Sequence, residues 1–129
     1  MVFLDGVRAF EGSTIVCDAR VRPDAPYVRG GSLATVVLLE HMAQAMATWY
    51  GLSPREGSVQ KGYVVAVPDL TLRVPSVKAG DVLEVEAVRQ WDDGTLGEFC
   101  CAVRRGDEEI ARATLLVVRR ASPEETSPP

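Results

Sequence analysis

One stretch constrains this chain more than any other. Leu33 to Leu52, LATVVLLEHMAQAMATWYGL, is its most apolar segment and reads as a helix meant for burial. Ser32 stands where an N-cap is expected, and Gly51 where a helix would stop. A carboxylate, Glu40, sits inside this run. Burying an ionised carboxylate costs several kcal/mol, of order, unless a partner, a raised pKa or a functional use compensates it.

The rest of the chain alternates like strands. Val2 to Phe10 is short and irregular, and Thr14 to Val21 sets Ile15, Cys17, Ala19 and Val21 against polar or small neighbours. After the helix, Gly62–Val67, Leu70–Val77, Val82–Trp91, Leu96–Arg105 and Glu109–Arg119 are rich in valine and in alternation. Asp93-Gly94 and Gly106-Asp107 are hairpin turn signals, and Pro68 and Pro75 suit strand ends, bulges or edges. The order is short β, β, one long helix, then four or five antiparallel strands, an α+β class. A helix apolar nearly all round must be covered on most of its surface. One sheet covers one side, so a second copy is the economical cover, and a homodimer is expected. Residues 1–120 read as one domain and 121–129, ASPEETSPP, as a disordered tail.

Several partners are excluded by charge and composition. The net charge of −4 and the absence of a basic cluster argue against nucleic acid. Glu40, His41 and Gln44 interrupt the longest apolar stretch, which argues against a membrane span. No basic start followed by an apolar run predicts a signal peptide, and three cysteines without framework spacing read as reduced thiols, so a cytoplasmic location is expected. One histidine and no Cys-x-x-Cys predict no metal site, and no cofactor is implied.

At helical spacing Glu40, Gln44 and Thr48 follow one another at i+4, with His41 beside them, on an arc of roughly 100°. One reading makes this arc the wet edge of the helix. The other makes it the wall of a small pocket in which burial pushes the Glu40 carboxyl toward neutrality, suited to general acid/base work. Gly30-Gly31-Ser32 leads toward the same helix, whose free N–H groups would face a developing oxyanion. A flexible turn with an N-cap explains the same residues. His41, at i+1 from Glu40, faces elsewhere and reads as structural, with a catalytic use as the alternative.

Glu40-His41-Met42-Ala43-Gln44-Ala45 resembles the E-x-M-A-Q-A helix of the hot-dog β-hydroxyacyl-acyl-carrier-protein dehydratases, nearest the short dehydratase-like proteins of aryl polyene and polyketide clusters. Val2-Phe3-Leu4-Asp5, Gly62-Tyr63, Val74-Pro75 with Ala79-Gly80-Asp81, and the closing strand Ala111 to Val117 carry it along residues 2–119. The resemblance implies a hot-dog fold, a long helix wrapped by an antiparallel sheet, paired into a dimer. It implies a lyase removing water from a 3-hydroxyacyl thioester of acyl carrier protein or coenzyme A, in fatty acid or polyketide biosynthesis. Such enzymes use a histidine in the loop before the helix and an acid on the partner's helix. Glu40 falls on the acidic position as the catalytic residue. Gly30, Gly31, Thr35, Gln44 and Tyr27 fall near the substrate; Thr35 stands close to the family's glycine at the helix start. The chain departs from the pattern at the histidine: its loop, RPDAPYVRGG, has Ala25 near that place. Tyr27, Asp24 and His41 are the substitutes at hand. Three functions follow: an altered dehydratase, a thioesterase working with Glu40 alone, and a non-catalytic acyl-binding or partner subunit.

Overall fold

The computed structural model describes residues 3–53 and 60–121. Its strands and single α-helix are β1 (Gly6–Glu11), β2 (Thr14–Arg20), β3 (Ser32–Ala34), α1 (Leu38–Leu52), β4 (Gln60–Leu72), β5 (Ser76–Lys78), β6 (Val82–Asp92), β7 (Leu96–Arg105) and β8 (Glu108–Ala121). Six strands form one antiparallel sheet in the order β1-β2-β6-β7-β8-β4, and β3 and β5 pair separately. α1 lies across the sheet's concave face, which is the hot-dog arrangement.

Alternation builds the core. Ile15, Cys17 and Ala19 on β2, Leu83, Val85 and Ala87 on β6, and Phe99, Cys101 and Val103 on β7 all point at the helix and are buried. α1 answers with Leu38, His41, Met42, Ala45, Met46, Trp49 and Tyr50, a stripe at i+3/i+4 spacing. Its opposite face carries Glu40 and Ala47, both exposed. The helix is thus buried along one stripe; the expectation of an all-round apolar helix came from small residues, from Leu39, which packs only at the core's margin, and from Leu52, which is exposed.

The helix also starts later than its apolar run suggests. Ser32–Ala34 is strand, paired residue for residue with Ser76–Lys78, and Thr35–Val37 is a single 3-10 turn. Ser32 is therefore no N-cap, because backbone pairing with β5 claims the segment first. Gly51 does not end the helix either: the cap is Ser53, whose N–H reaches the Trp49 and Tyr50 carbonyls. Two segments expected as separate strands join into the long β4, which passes Pro68 by register shifts between Val64 and Asp69. The expected tail at 121–129 lies outside the described residues apart from Ala121.

One clasp locks the far end of α1 to the β6–β7 hairpin. The Tyr50 hydroxyl donates to Asp92 Oδ2 at 2.6 Å, and the Gly94 N–H donates to Asp92 Oδ1 at 2.7 Å. A Cβ at Gly97 would lie 2.9 Å from both the Tyr50 hydroxyl and Asp92 Oδ2. Gly97→Ala is therefore expected to destabilise the fold by about 1–3 kcal/mol through overpacking. Urea unfolding measures this, and a midpoint equal to wild type would show that the clasp gives way freely.

Candidate functional site

The loop before β3 is built from consecutive tight turns. The Ala25 N–H donates to the Arg22 carbonyl at 3.0 Å, and the Val28 N–H to the Ala25 carbonyl at 3.2 Å. Pro23 and Pro26 occupy the second position of each turn, where their fixed φ fits. In the second turn Tyr27 takes φ 69°, the one positive φ outside glycine among the described residues. That position of a type II turn ordinarily holds glycine. A residue held there costs of order 1–3 kcal/mol, so the surroundings must impose it.

Gly30 and Gly31 follow at φ 57° and 77°, pinched between reciprocal backbone bonds of Arg29 and Ser32. They make a tight turn into β3, not the entry to the helix. The expectation that they would present N–H groups at a helix N-terminus is corrected, since β3 and the 3-10 turn intervene. Thr35 is corrected in a similar way. Its N–H donates to the Pro75 carbonyl at 3.1 Å and its hydroxyl to the Val74 carbonyl at 2.7 Å, so both bind the helix start to the chain before β5.

Val36 and Val37 complete that first turn, within which the Val36 N–H has no i−3 carbonyl to meet. They border an open cavity of about 300 Å³ lined by Tyr27, Val36, Val37, Leu39 and Glu40. Tyr27 and Glu40 are its polar groups. Glu40 is exposed in the single chain, so the expected burial is not met within it. Leu38 and Met42, its apolar neighbours in sequence, turn into the core on the opposite side of α1. A neighbouring cavity of about 380 Å³ runs from Ala34–Val36 to Leu72–Pro75, and Val36, 51% exposed, stands between the two.

His41 lies elsewhere. It is buried, its ring stacks on Phe3 at 4.6 Å, and its Nδ1 faces the Val37 carbonyl at 3.4 Å. Burial pushes its pKa below the ordinary value, with the Val37 carbonyl and the Glu40 charge opposing. Gln44 is half-buried and spends its Oε1 on the Phe3 N–H at 2.7 Å. Both residues thus position Phe3, whose ring stands 6.5 Å from that of Tyr27. The expected arc is split: Glu40 faces outward, while His41 and Gln44 hold Phe3, in the segment before β1. Asp24 lines a separate cavity with Asp5, Arg20 and Arg22. Sequence reasoning passed over Phe3, Val36 and Val37. Proline at the second position of Ala25–Val28 was the signal that Tyr27 sits at a turn's third residue. Among the described residues no group of three or more His, Cys, Asp or Glu is placed to hold a metal, and no helix is long and apolar enough to cross a membrane.

The fold places the chain among hot-dog proteins. Residues 1–127 match the family described as ApeP-like, ApeP dehydratase, and the chain belongs to that family. Comparison with curated proteins finds no match. Among solved structures it is similar to a chain of the dehydratase heterocomplex ApeI:P from Xenorhabdus doucetiae, at 21% identity and TM-score 0.85, covering 96% of this chain and 86% of that one. It is also similar to smu.793 from Streptococcus mutans bound to acetyl CoA, at 16% identity and TM-score 0.73, covering 95% and 94%. The thioesterase HI1161 from Haemophilus influenzae shares the fold at 14% identity and TM-score 0.71, covering 94% and 81%.

His41 gives the site a pH signature. Its folded pKa is lowered, so the unfolded chain binds more protons below about pH 6.5. Its contribution to stability is present above that pH and is lost as pH falls. Urea unfolding at pH 7.5 and 5.5 is expected to show lower stability at 5.5, with the difference reduced in His41→Gln. An equal pH difference in both proteins would place the titrating group elsewhere.

Proposed function

We propose that this chain binds 3-hydroxyacyl thioesters, of acyl carrier protein or coenzyme A, and removes water from them with Glu40 as the acid/base group. One observation carries the reading: Glu40 shares an apolar cavity with Val36 and Val37, and the first-turn N–H of Val36 suits a thioester carbonyl. That N–H favours negative charge on the carbonyl oxygen. The Glu40 carboxylate takes the C2 proton, the C2=C3 bond forms, and the 3-hydroxyl leaves as water with a proton delivered to it. Family membership supports the reaction class.

The same reading includes a second hot-dog chain over the site. β4 is the sheet's edge among the described residues, and Val64, Val65, Val67, Leu70 and Leu72 on it are exposed. A long apolar edge is a template for another chain. Leu72 belongs to the cavity that adjoins Glu40's through Val36, so a chain on this edge also covers the carboxylate. A second copy fills the role in a homodimer. The heterocomplex of the Xenorhabdus relative supports a homologous active subunit as the other arrangement. Light scattering at micromolar concentration is expected to give a dimer; a stable monomer alone and with such a homologue would oppose this cover.

A hydrolase reading has its own support, since the loop lacks a histidine and a lone carboxylate suffices to direct water. The assay separates the two. Purified protein is given a 3-hydroxyacyl thioester and a plain acyl thioester: enoyl product supports dehydration and free thiol supports hydrolysis. Glu40→Gln keeps size and hydrogen bonding but removes the base, so turnover is expected to fall roughly 10²-fold or more. Full activity in Glu40→Gln, with loss in His41→Asn, would move the chemistry to His41.

A further inference from the structure

We propose that the Tyr27 phenol meets the 3-hydroxyl of the bound acyl thioester and delivers the proton with which that hydroxyl leaves. This rests on the dehydration reading above and adds its second proton-bearing group. Tyr27 and Glu40 line one cavity whose other walls are Val36, Val37 and Leu39. A carboxylate-bearing and a phenol-bearing residue beside one otherwise apolar space can supply a base and an acid for a two-proton reaction.

The backbone supplies an independent observation. Tyr27 holds φ 69° at a turn position where glycine is free of strain. Its side chain is 61% exposed, so core packing does not repay that strain. The conformation is nevertheless enforced, by Pro26 before it and by the Val28 to Ala25 hydrogen bond across it. Its ring is braced as well: Phe3 stands against it, stacked in turn on His41 and bonded through its N–H to Gln44. Strain held rigidly by neighbours, with the side chain aimed outward beside an acid/base carboxylate, is the pattern of a residue kept for a ligand.

The other titratable groups nearby are committed or turned away. His41 lies buried under Phe3. Asp24 lines the separate cavity with Arg20 and Arg22, and Asp5 is paired with Arg22 at 2.7 Å. In the balanced step, the C2–H bond breaks to Glu40 and its electron pair forms C2=C3. The C3–O bond breaks, and the phenol proton completes the departing water. The phenolate then recovers a proton from the Glu40 carboxyl, which restores both groups.

The test uses the full chain and pairs a rate with a binding measurement that needs no turnover. The binding probes are pantetheine amides of a 3-hydroxyacyl and a plain acyl chain of equal length. Wild type is expected to bind the 3-hydroxyacyl amide several-fold more tightly. Tyr27→Phe should erase that preference, leave the plain acyl affinity unchanged, and lower kcat for dehydration at least 10-fold, with KM rising by no more than the lost preference. Tyr27→Gly should lose the same rate while its melting temperature holds or rises, since glycine relieves the turn; a drop in melting temperature would mark a packing role and count against the proposal. Wild type without a 3-hydroxyl preference, or Tyr27→Phe retaining both preference and rate, overturns it. Glu40→Gln run alongside separates the two ideas. If it loses dehydration while Tyr27→Phe keeps it, only the assignment of Tyr27 fails; if Glu40→Gln itself keeps dehydration, the reading of the site fails.

Discussion

The seating of Trp49 against the sheet decides how the rest of the molecule is arranged. Its indole N–H donates to the Gly12 carbonyl in the β1–β2 turn at 3.0 Å. Its ring packs edge-on to Phe99 on β7 at 5.8 Å, and the Arg89 guanidinium of β6 lies over it at 4.3 Å. One side chain thus joins α1 to the β1–β2 turn, β6 and β7, and fixes the rotation of the helix. Burial of a side chain this large contributes of order 3 kcal/mol or more, enough to set the helix azimuth. With Trp49, Met42 and Leu38 facing in, Glu40 must face out.

That outward direction places the carboxylate at the rim of an apolar cavity, and the strand edge beside it is apolar as well. The proposed pairing along β4 joins the two features, because a chain there would reach Val36 and close the space around Glu40. Tyr27, from the loop before β3, stands on the cavity's other side.

Strand content was legible because alternation is a local signal. Leu96–Arg105 is β7 residue for residue, and the glycine turns on either side of it fall where expected. The start of the helix was not legible. Leu33 to Val37 is as apolar as the helix that follows, and only the distant pairing of Ser32–Ala34 with Ser76–Lys78 makes it strand. The same long-range contact occupies the Thr35 N–H, which no local reading could show. Glu40 was legible as an anomaly through its spacing on the helix. Its exposure was not, since small residues such as Ala43 and Ala47 read as apolar whichever way they face. The strain at Tyr27 depends on a turn geometry that the Ala25-Pro26 dipeptide hints at but does not determine.

The proposed function requires an acyl thioester to lie between Glu40 and the first turn of the helix. A crystal structure of the protein with an unreactive 3-hydroxyacyl pantetheine amide tests it most directly. The acyl carbonyl oxygen is then expected about 3 Å from the Val36 N–H, with C2 facing the Glu40 carboxylate. A second hot-dog chain is expected along β4. An acyl group bound in another cavity, with Glu40 open to water on all sides, would contradict the proposed function.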